Sequence, residues 1–309
     1  MNSQLKIPSP LQKLESDLFK KHQVDVYVKR DDLIHPEISG NKWRKLKLNF
    51  EKFHQGKYES ILTFGGAFSN HIAATASLGN SAGIKTIGII RGEELTDESN
   101  DTLKQASANG MKLIFVSRDK YSERYERIYH EELRREYGNI LLIEEGGANF
   151  LGAMGIADCV KELNFEPDYI YTAAGTGTTS AGLLIATNKS KIVSVPVLKN
   201  GEFLIDEIRN LVHLASFDEE LTIEKMERLQ LETDFHFGGY GKYNQELIDF
   251  INEIHKTHQL KLDQIYTAKM FYTFIENLKS GKIRSNSTVV LLHTGGIQGL
   301  STIKSQLNF

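Results

Sequence analysis

One cysteine, Cys159, stands in 309 residues. A single thiol excludes an internal disulfide and every paired-cysteine metal or redox motif. It also points to a reducing compartment, so a cytoplasmic location is expected. Neither sign of charge dominates. Lys and Arg total 37, Asp and Glu total 40, and the net charge is -3. That balance lacks the basic excess of nonspecific nucleic-acid binding. Long apolar runs are missing too. A long uncharged stretch, Tyr169 to Asn188, is loaded with Thr and Gly, whereas a membrane span needs about 20 predominantly apolar residues. It reads instead as a buried strand, a Gly-rich turn and a helix start. Met1 to Leu14 holds no apolar run ahead of a small-residue cleavage site, so no secretory signal is expected. With only 5 prolines no linker marks a boundary, and the domains are expected to interleave along the chain.

Several motifs are absent. The pairs Gly56-Lys57, Gly241-Lys242 and Gly281-Lys282 lack a following Ser or Thr, which excludes a phosphate-binding P-loop. His130-Glu131 has no second His at metalloprotease spacing, and no other metal site is expected. A nucleophile elbow is missing as well. Gly175-Thr176-Gly177 starts like a dinucleotide fingerprint, but its third glycine position holds Ser180.

What is present is alternation. Ser60–Phe64, Ile84–Ile90, Lys112–Val116, Ile140–Ile143, Tyr169–Ala173, Lys191–Val197 and Thr288–His293 read as strands, preceded by Val24–Val28. Between them lie helical periods such as Asn70–Asn80, Asp101–Ala108, Arg124–Tyr137, Leu151–Leu163 and Glu246–His258. Strand and helix repeated in this way predict an α/β fold of parallel sheets with right-handed crossovers. At roughly 150 residues per domain the length suits two domains or one large one. Four joints are Gly-rich: Phe64-Gly65-Gly66, Glu145-Gly146-Gly147, Ala174-Gly175-Thr176-Gly177 and His293-Thr294-Gly295-Gly296. Ligands of open α/β sheets sit beyond the carboxyl ends of strands, where these joints fall.

Two stretches carry candidate chemistry. Gly175, Thr176, Gly177, Thr178, Thr179 and Ser180 lead into the apolar helix Ala181–Thr187. Backbone NH groups at a helix start, with the three hydroxyls of Thr178, Thr179 and Ser180, form a cup for one phosphate. The same residues also suit a plain Gly-rich turn with a Ser/Thr cap. Lys42-Trp43-Arg44-Lys45-Leu46-Lys47 is the densest basic run, and a solvated helix face would explain it. Lys42 and Lys45 are three apart, however, so on a helix started by Gly40-Asn41 they face one way. Two lysines converging on one spot suit an anionic cofactor, one as amine nucleophile and one on a phosphate. A neighbouring cation or desolvation frees such an amine by lowering its pKa. A competing reading is a serine acyl-enzyme built on Ser39 and Lys42, with Ser107-Ala108-Asn109 and Lys279-Ser280-Gly281 following in order. It requires the last triplet on a strand. Here that triplet closes a helical period, Phe271–Leu278, with Gly281 as its cap.

Seven elements then line up in order: Asn41-Lys42-x-x-Lys45-Leu46, Gly65-Gly66-x-x-Ser69-Asn70-His71, Gly146-Gly147-Ala148-Asn149, Thr176-Gly177-Thr178-Thr179-x-Ala181-Gly182, Gly239-Tyr240-Gly241, Ile265-Tyr266-Thr267-x-Lys269 and His293-Thr294-Gly295-Gly296. Together with Val28-Lys29-Arg30-Asp31-Asp32 they span nearly the whole chain. The set resembles the 1-aminocyclopropane-1-carboxylate deaminase and D-cysteine desulfhydrase family of fold-type II pyridoxal-phosphate enzymes.

The resemblance implies two open parallel-sheet domains, residues 1–45 with 155–309 and residues 46–154, and pyridoxal 5'-phosphate in the cleft between them. It implies that Lys42 holds the cofactor covalently. Lys45 and the cup Gly175, Thr176, Gly177, Thr178 and Thr179 would bind its phosphate, and Asn70 its phenolic oxygen. Ser69 would take the substrate carboxylate and assist proton transfer, and Asn70, His71 and Tyr240 would also bind substrate. Tyr240 and Tyr266 would line ring and substrate, although as residues they read equally well as core aromatics. A homodimer acting on a small amino acid is implied as well. Two positions separate activities within the family. The cyclopropane deaminases typically carry Glu where this chain has Thr267, and Leu where it has Thr294; both differences match the D-cysteine desulfhydrase side. A hydroxyl at Thr294 leaves the ring nitrogen largely neutral, a weaker electron sink that suffices for β-elimination. D-Cysteine is therefore the expected substrate. Cyclopropane deamination and D-serine dehydration are the alternatives at the same site, and an inert cofactor-binding protein is another.

Overall fold

The computed structural model describes residues 5–38 and 40–309. Ser39, the nucleophile of the acyl-enzyme reading, lies outside the described residues. Strands β1 (Leu11–Leu14), β2 (Asp25–Lys29), β7 (Tyr169–Ala174), β8 (Lys191–Pro196), β9 (Leu229–Leu231) and β10 (Thr288–Leu292) form one sheet, in the order β1-β2-β10-β7-β8-β9. Strands β3 (Ser60–Gly66), β4 (Lys85–Arg91), β5 (Lys112–Val116) and β6 (Ile140–Ile143) form a second, in the order β5-β4-β3-β6. Every pairing is parallel except β1 with β2. That edge strand, and β9 at the other edge, are too short to register as periodic runs.

The helices are α1 (Asp17–His22), α2 (Asn41–Gln55), α3 (Asn70–Ala82), α4 (Asp101–Ala108), α5 (Arg118–Ser122), α6 (Arg127–Tyr137), α7 (Phe150–Lys161), α8 (Thr178–Ala186), α9 (Leu204–Ser216), α10 (Glu219–Met226), α11 (Gln245–His258) and α12 (Thr267–Lys279). Arg124 falls in a short 3-10 turn ahead of α6 rather than in the helix. None of the described helices is long and apolar enough to cross a membrane. Among the described residues no cluster of acidic, His and Cys side chains could hold a metal.

Both faces of the larger sheet are covered, which explains its near-continuous hydrophobic strands. Tyr169, Tyr171, Val193, Val195, Val289 and Leu291 pack on one face against α11 and α12 residues such as Ile251 and Phe274. Ile170, Ala174, Ile192, Val290 and Leu292 pack on the other against Ile156, Leu184 and Ile208. The smaller sheet splits likewise, with Ile61 on one side and Leu62 and Phe64 on the other.

The topology decides where a ligand can sit. In the larger sheet β7 continues outward to β8 and β9, while β10 and β2 lie on its other side. In the smaller sheet β3 continues to β4 and β5, while β6 lies on its other side. Each sheet therefore has a switch point, β10/β7 and β3/β6, where neighbouring crossovers leave in opposite directions and open a crevice. All four Gly-rich joints follow those four strands.

Helix α2 connects the two sheets, and its rotation is fixed by buried charge. Arg44 donates Nε and Nη2 to Asp31, at 2.7 and 2.8 Å, and Nη1 and Nη2 to Glu162, both at 2.8 Å. Lys29 joins Glu162 at 2.6 Å. Burial alone would raise the Glu162 carboxyl, but hydrogen bonds from Arg44 and Lys29 hold it down at about 2. Arg44 lies two residues from Lys42, roughly 200° around the helix, so this network turns Lys42 the other way. Glycines set the spacing. A Cβ on Gly155 of α7 would lie 1.9 Å from the Arg44 carbonyl oxygen of α2, and one on Gly182 of α8 would lie 2.4 Å from the Ala153 carbonyl oxygen of α7. Helices α2, α7 and α8 therefore pack backbone to backbone.

Candidate active site

The start of α2 is stitched to two joints of the larger sheet. Gly40 has φ +67°, and a Cβ there would fall 1.8 Å from the Thr294 carbonyl oxygen. The Asn41 backbone NH donates to that same oxygen at 3.2 Å. The Asn41 side chain donates to Thr179 Oγ1 at 2.9 Å. Lys42 thus follows a residue held by both the β10 and the β7 joints, and Thr294 and Thr179 are brought to its helix start. Asn41 was not singled out as a site residue in the sequence; only its position before Lys42 hinted at a role.

The Thr176 and Thr178 hydroxyls come together at the start of α8. Gly177 takes φ +71° and α8 begins at Thr178. Thr176 Oγ1 and Thr178 Oγ1 are 3.0 Å apart, and Thr178 and Thr179 are buried. Gly175 lies under the Tyr266 ring, since a Cβ there would be 3.4 Å from Tyr266 Cε1. The smaller sheet closes the other side. Gly146, at φ +71°, brings its backbone to Thr176, and a Cβ on Gly147 would sit 3.1 Å from Lys45 Cβ.

Two lysines share this space. Burial pushes the Lys42 amine down to about 8, against the opposing pull of the Glu145 carboxylate. Lys45 is 4% exposed. Burial, then the charge of Lys42, drives it well below the ordinary lysine value. No ion pair or hydrogen bond to the Lys45 ammonium occurs among the described residues. Glu145, itself paired with Arg124 at 2.8 Å, is a second residue whose role was not legible; it stood only in a glycine-rich joint.

Ser69 caps α3, its Oγ accepting from the Ile72 backbone NH at 3.3 Å. Asn70 follows and reaches the opposite sheet: a Cβ on Gly296 would lie 3.0 Å from Asn70 Nδ2. His71 points away from the helix start into the core, at 2% exposure. Thr63 Oγ1 donates its one proton to the Ile143 carbonyl at 2.7 Å, so His71 Nε2, 2.8 Å away, must be the donor to Thr63. His71 Nδ1 is then an unprotonated acceptor, buried and without a partner. Burial and the two lysines hold the ring neutral, its pKa well below the usual histidine value.

Tyr266 and Tyr240 come together. Their hydroxyls are 3.5 Å apart and their rings meet nearly edge to face, with centroids 6.1 Å apart. Burial raises the pKa of both phenols, so both are neutral donors. Asp263 fixes the start of α12, accepting from the NH groups of Ile265, Tyr266 and Thr267 and from Thr267 Oγ1 at 2.7–3.0 Å. The Thr267 hydroxyl is therefore bound to Asp263 and fully buried. Thr294, half-buried, makes no side-chain hydrogen bond among the described residues. Ser107 of the acyl-enzyme reading bonds Asp97 on the exposed face of α4, and Lys279-Ser280-Gly281 closes α12 rather than forming a strand.

This geometry brings two switch points together around one depressed lysine, one buried unpaired lysine and a hydroxyl-bearing helix start. The family model of pyridoxal-phosphate dependent enzymes matches residues 3–295. The chain belongs to that family. A Thermotoga maritima protein provisionally named 1-aminocyclopropane-1-carboxylate deaminase is 34% identical over 309 residues, 95% of each chain. The Arabidopsis thaliana mitochondrial bifunctional D-cysteine desulfhydrase/1-aminocyclopropane-1-carboxylate deaminase is 26% identical over 89% of this chain and 73% of that one. The crystal structure of a homologue of 1-aminocyclopropane-1-carboxylate deaminase superposes with a TM-score of 0.83 at 28% identity, over 98% of this chain and 96% of the other. The fold is that of the fold-type II enzymes, and the chain is a pyridoxal-phosphate dependent enzyme of the deaminase/desulfhydrase group.

The residues present fit that cofactor. A phosphate dianion would supply the counter-charge that Lys45 lacks, and the NH groups and hydroxyls at the α8 start would complete its hydrogen bonds. Lys42, with its lowered pKa, has the free amine that a bond to the cofactor aldehyde needs.

Proposed function

We propose that the enzyme catalyses β-elimination on a small D-amino acid, converting D-cysteine and water to pyruvate, sulfide and ammonia. The observation that carries this reading is Thr294. A hydroxyl, and no carboxylate, follows His293 at the β10 joint, beside the start of the Lys42 helix. The nearby carboxylate of Asp263 is saturated by four hydrogen bonds from α12, and Thr267 is bound to it. We assign Thr294 to the ring nitrogen and Tyr266 to the ring face.

When bound, the cofactor supplies a sink for the electron pair left at the substrate Cα, a weak one where a hydroxyl faces its nitrogen. The chain's own residues do the rest. Lys45 and Thr176 to Thr179 hold the phosphate, and Asn70 the phenolic oxygen. Ser69 and the NH groups at the α3 start orient the substrate carboxylate. Lys42 Nζ, with a pKa of about 8, removes the Cα proton. Tyr266 donates to Tyr240, which leaves the Tyr240 proton to donate toward the substrate. We read the cleft as dividing residues 1–45 and 155–309 from 46–154, and the working form as a cytoplasmic homodimer.

The second reading, deamination of the cyclopropane amino acid, is supported by the name of the Thermotoga maritima relative. One experiment separates them. The purified protein is mixed with D-cysteine, D-serine and the cyclopropane amino acid in turn, while its visible spectrum and the release of sulfide, pyruvate and 2-oxobutyrate are followed. Pyruvate and sulfide from D-cysteine support the proposal. Turnover of the cyclopropane compound alone refutes the Thr294 argument. Lys42→Ala is expected to lose covalent cofactor and turnover together.

A further inference from the structure

Lys269 lies on α12 with no exposed surface. No carboxylate is bonded to it. Its ammonium donates instead to two main-chain oxygens, those of His236 and Gly239, both at 2.8 Å. Burial pushes its pKa down to about 8, with Asp263 opposing. Taking an ammonium out of water is costly, and an apolar side chain of the same length would fill this volume without that cost. A lysine here answers a need for hydrogen-bond donors.

The loop it holds has that need. Phe237, Gly238, Gly239 and Gly241 have φ of +52°, +94°, +107° and +69°, a run of left-handed residues outside any helix or strand. Within the loop, Gly239 NH donates to the His236 carbonyl at 3.0 Å and Lys242 NH to the Gly239 carbonyl at 3.1 Å. Each carbonyl has a second lone pair, and Lys269 occupies both. Tyr240 follows Gly239 directly. Tyr266, the N-cap of α12, precedes Lys269 by three residues. One helix start thus places both phenols, Tyr266 directly and Tyr240 through the lysine.

We propose that Lys269 is a positioning residue for Tyr240: it ties the 236–242 loop to α12, holds the Tyr240 hydroxyl beside that of Tyr266, and so sets affinity for substrate rather than for cofactor. The substrate part rests on the reading of Tyr240 given above; the tethering part does not.

The test is Lys269→Met in the full chain loaded with pyridoxal phosphate, with Lys269→Gln, which keeps donors, beside it. Hydrogen exchange of peptides covering 235–243 reads the tether without any substrate. The expected result is at least tenfold faster exchange in that segment, unchanged exchange in α12 and the larger sheet, and unchanged loading at Lys42. D-Cysteine turnover should show a rise of about tenfold in KM with kcat within twofold. Lys269→Gln should recover part of both effects, and it carries the same readouts if the Met variant does not fold. Unchanged loop exchange overturns the tether. Faster exchange throughout α12 and the sheet overturns it in favour of a general packing role. A freed loop with KM and kcat at wild-type values overturns the link to substrate. If the wild type turns over no amino acid, the proposed function fails while loop exchange still decides the tether.

Discussion

The depressed pKa of Lys42 predicts how the apoprotein captures its cofactor. Bond formation to the aldehyde needs the neutral amine. With a pKa of about 8, about one Lys42 in ten is neutral at pH 7, against about one in 2,500 for an unperturbed lysine near 10.4. Capture should therefore rise from pH 6.5 and level off above about 9. Glu145 provides the perturbation. Its carboxylate raises the Lys42 pKa, so Glu145→Gln must lower it, and the Arg124 charge left unpaired pushes the same way. Glu145 is 29% exposed and already paired with Arg124. The shift should then be about 0.5–1 unit, at or below the low end for an opposite charge nearby. At pH 7 the neutral fraction rises from about one in ten to between about one quarter and one half, so capture should speed up about three- to fivefold. The assay is stopped-flow absorbance after mixing apoprotein with pyridoxal phosphate from pH 6.5 to 9.5. Ratios at each pH remove the titration of the cofactor itself, and Lys42→Ala supplies the blank. A wild-type rate still climbing steeply at pH 9.5, or a Glu145→Gln midpoint that stays put or moves up, would refute the reasoning.

Two further perturbations follow from the packing around the same site. Lys45→Met removes a buried cation whose folded pKa lies well below its unfolded one. Such a group binds fewer protons folded than unfolded, so it makes apoprotein stability rise with pH up to the unfolded lysine value. The variant should melt higher than wild-type apoprotein at neutral pH and lose part of that pH dependence by calorimetry. It should also bind pyridoxal phosphate about 10–100-fold more weakly, the scale of one charge-assisted hydrogen bond; unchanged affinity would remove Lys45 from the phosphate site. Gly155→Ala places a methyl 1.9 Å from the Arg44 carbonyl oxygen and should cost about 1–3 kcal/mol in urea unfolding, with weaker cofactor loading because α2 shifts; an unchanged midpoint would mean that α2 and α7 can separate freely.

Much of the frame was legible before any coordinate. Lys112–Val116 and Ile140–Ile143 are strands with the expected ends, and Asp101–Ala108 is the expected helix. Strands buried on both faces are rich in β-branched residues and bounded by Gly joints, so local pattern and tertiary role agree. The parts that escaped are those whose pattern is weak. Residues 200–233 carried no usable signal yet hold α9, α10 and β9. β9 is only half-buried, at the edge of the sheet, and three residues are too few for alternation to register.

The site divides the same way. Lys42, Lys45, the Thr176–Thr179 cup and Ser69 announce themselves because their chemistry is local: spacing on one helical turn, or a hydroxyl at a helix start. Asn41, Glu145, Asp263 and Lys269 do not, because each acts on a partner distant in sequence. Asn41 bonds Thr179 from 138 residues away, and Lys269 bonds His236 and Gly239 from 33 and 30 residues away. His71 stood beside Ser69 and Asn70 in a motif aimed at substrate, yet its ring turns inward to Thr63.

The sequence by itself determined the strand–helix alternation, the parallel sheets, the four glycine-rich joints and the residue types a phosphate and an aldehyde require. Only the tertiary structure decided that those joints meet at two switch points, that Lys45 lacks a counter-charge, and that Thr267 is bound to Asp263 while Thr294 stands at the start of the lysine helix. The physical reason is range. Secondary structure follows from contacts a few residues apart, whereas desolvation, charge pairing and the direction of a hydroxyl depend on which distant segments are pressed against it.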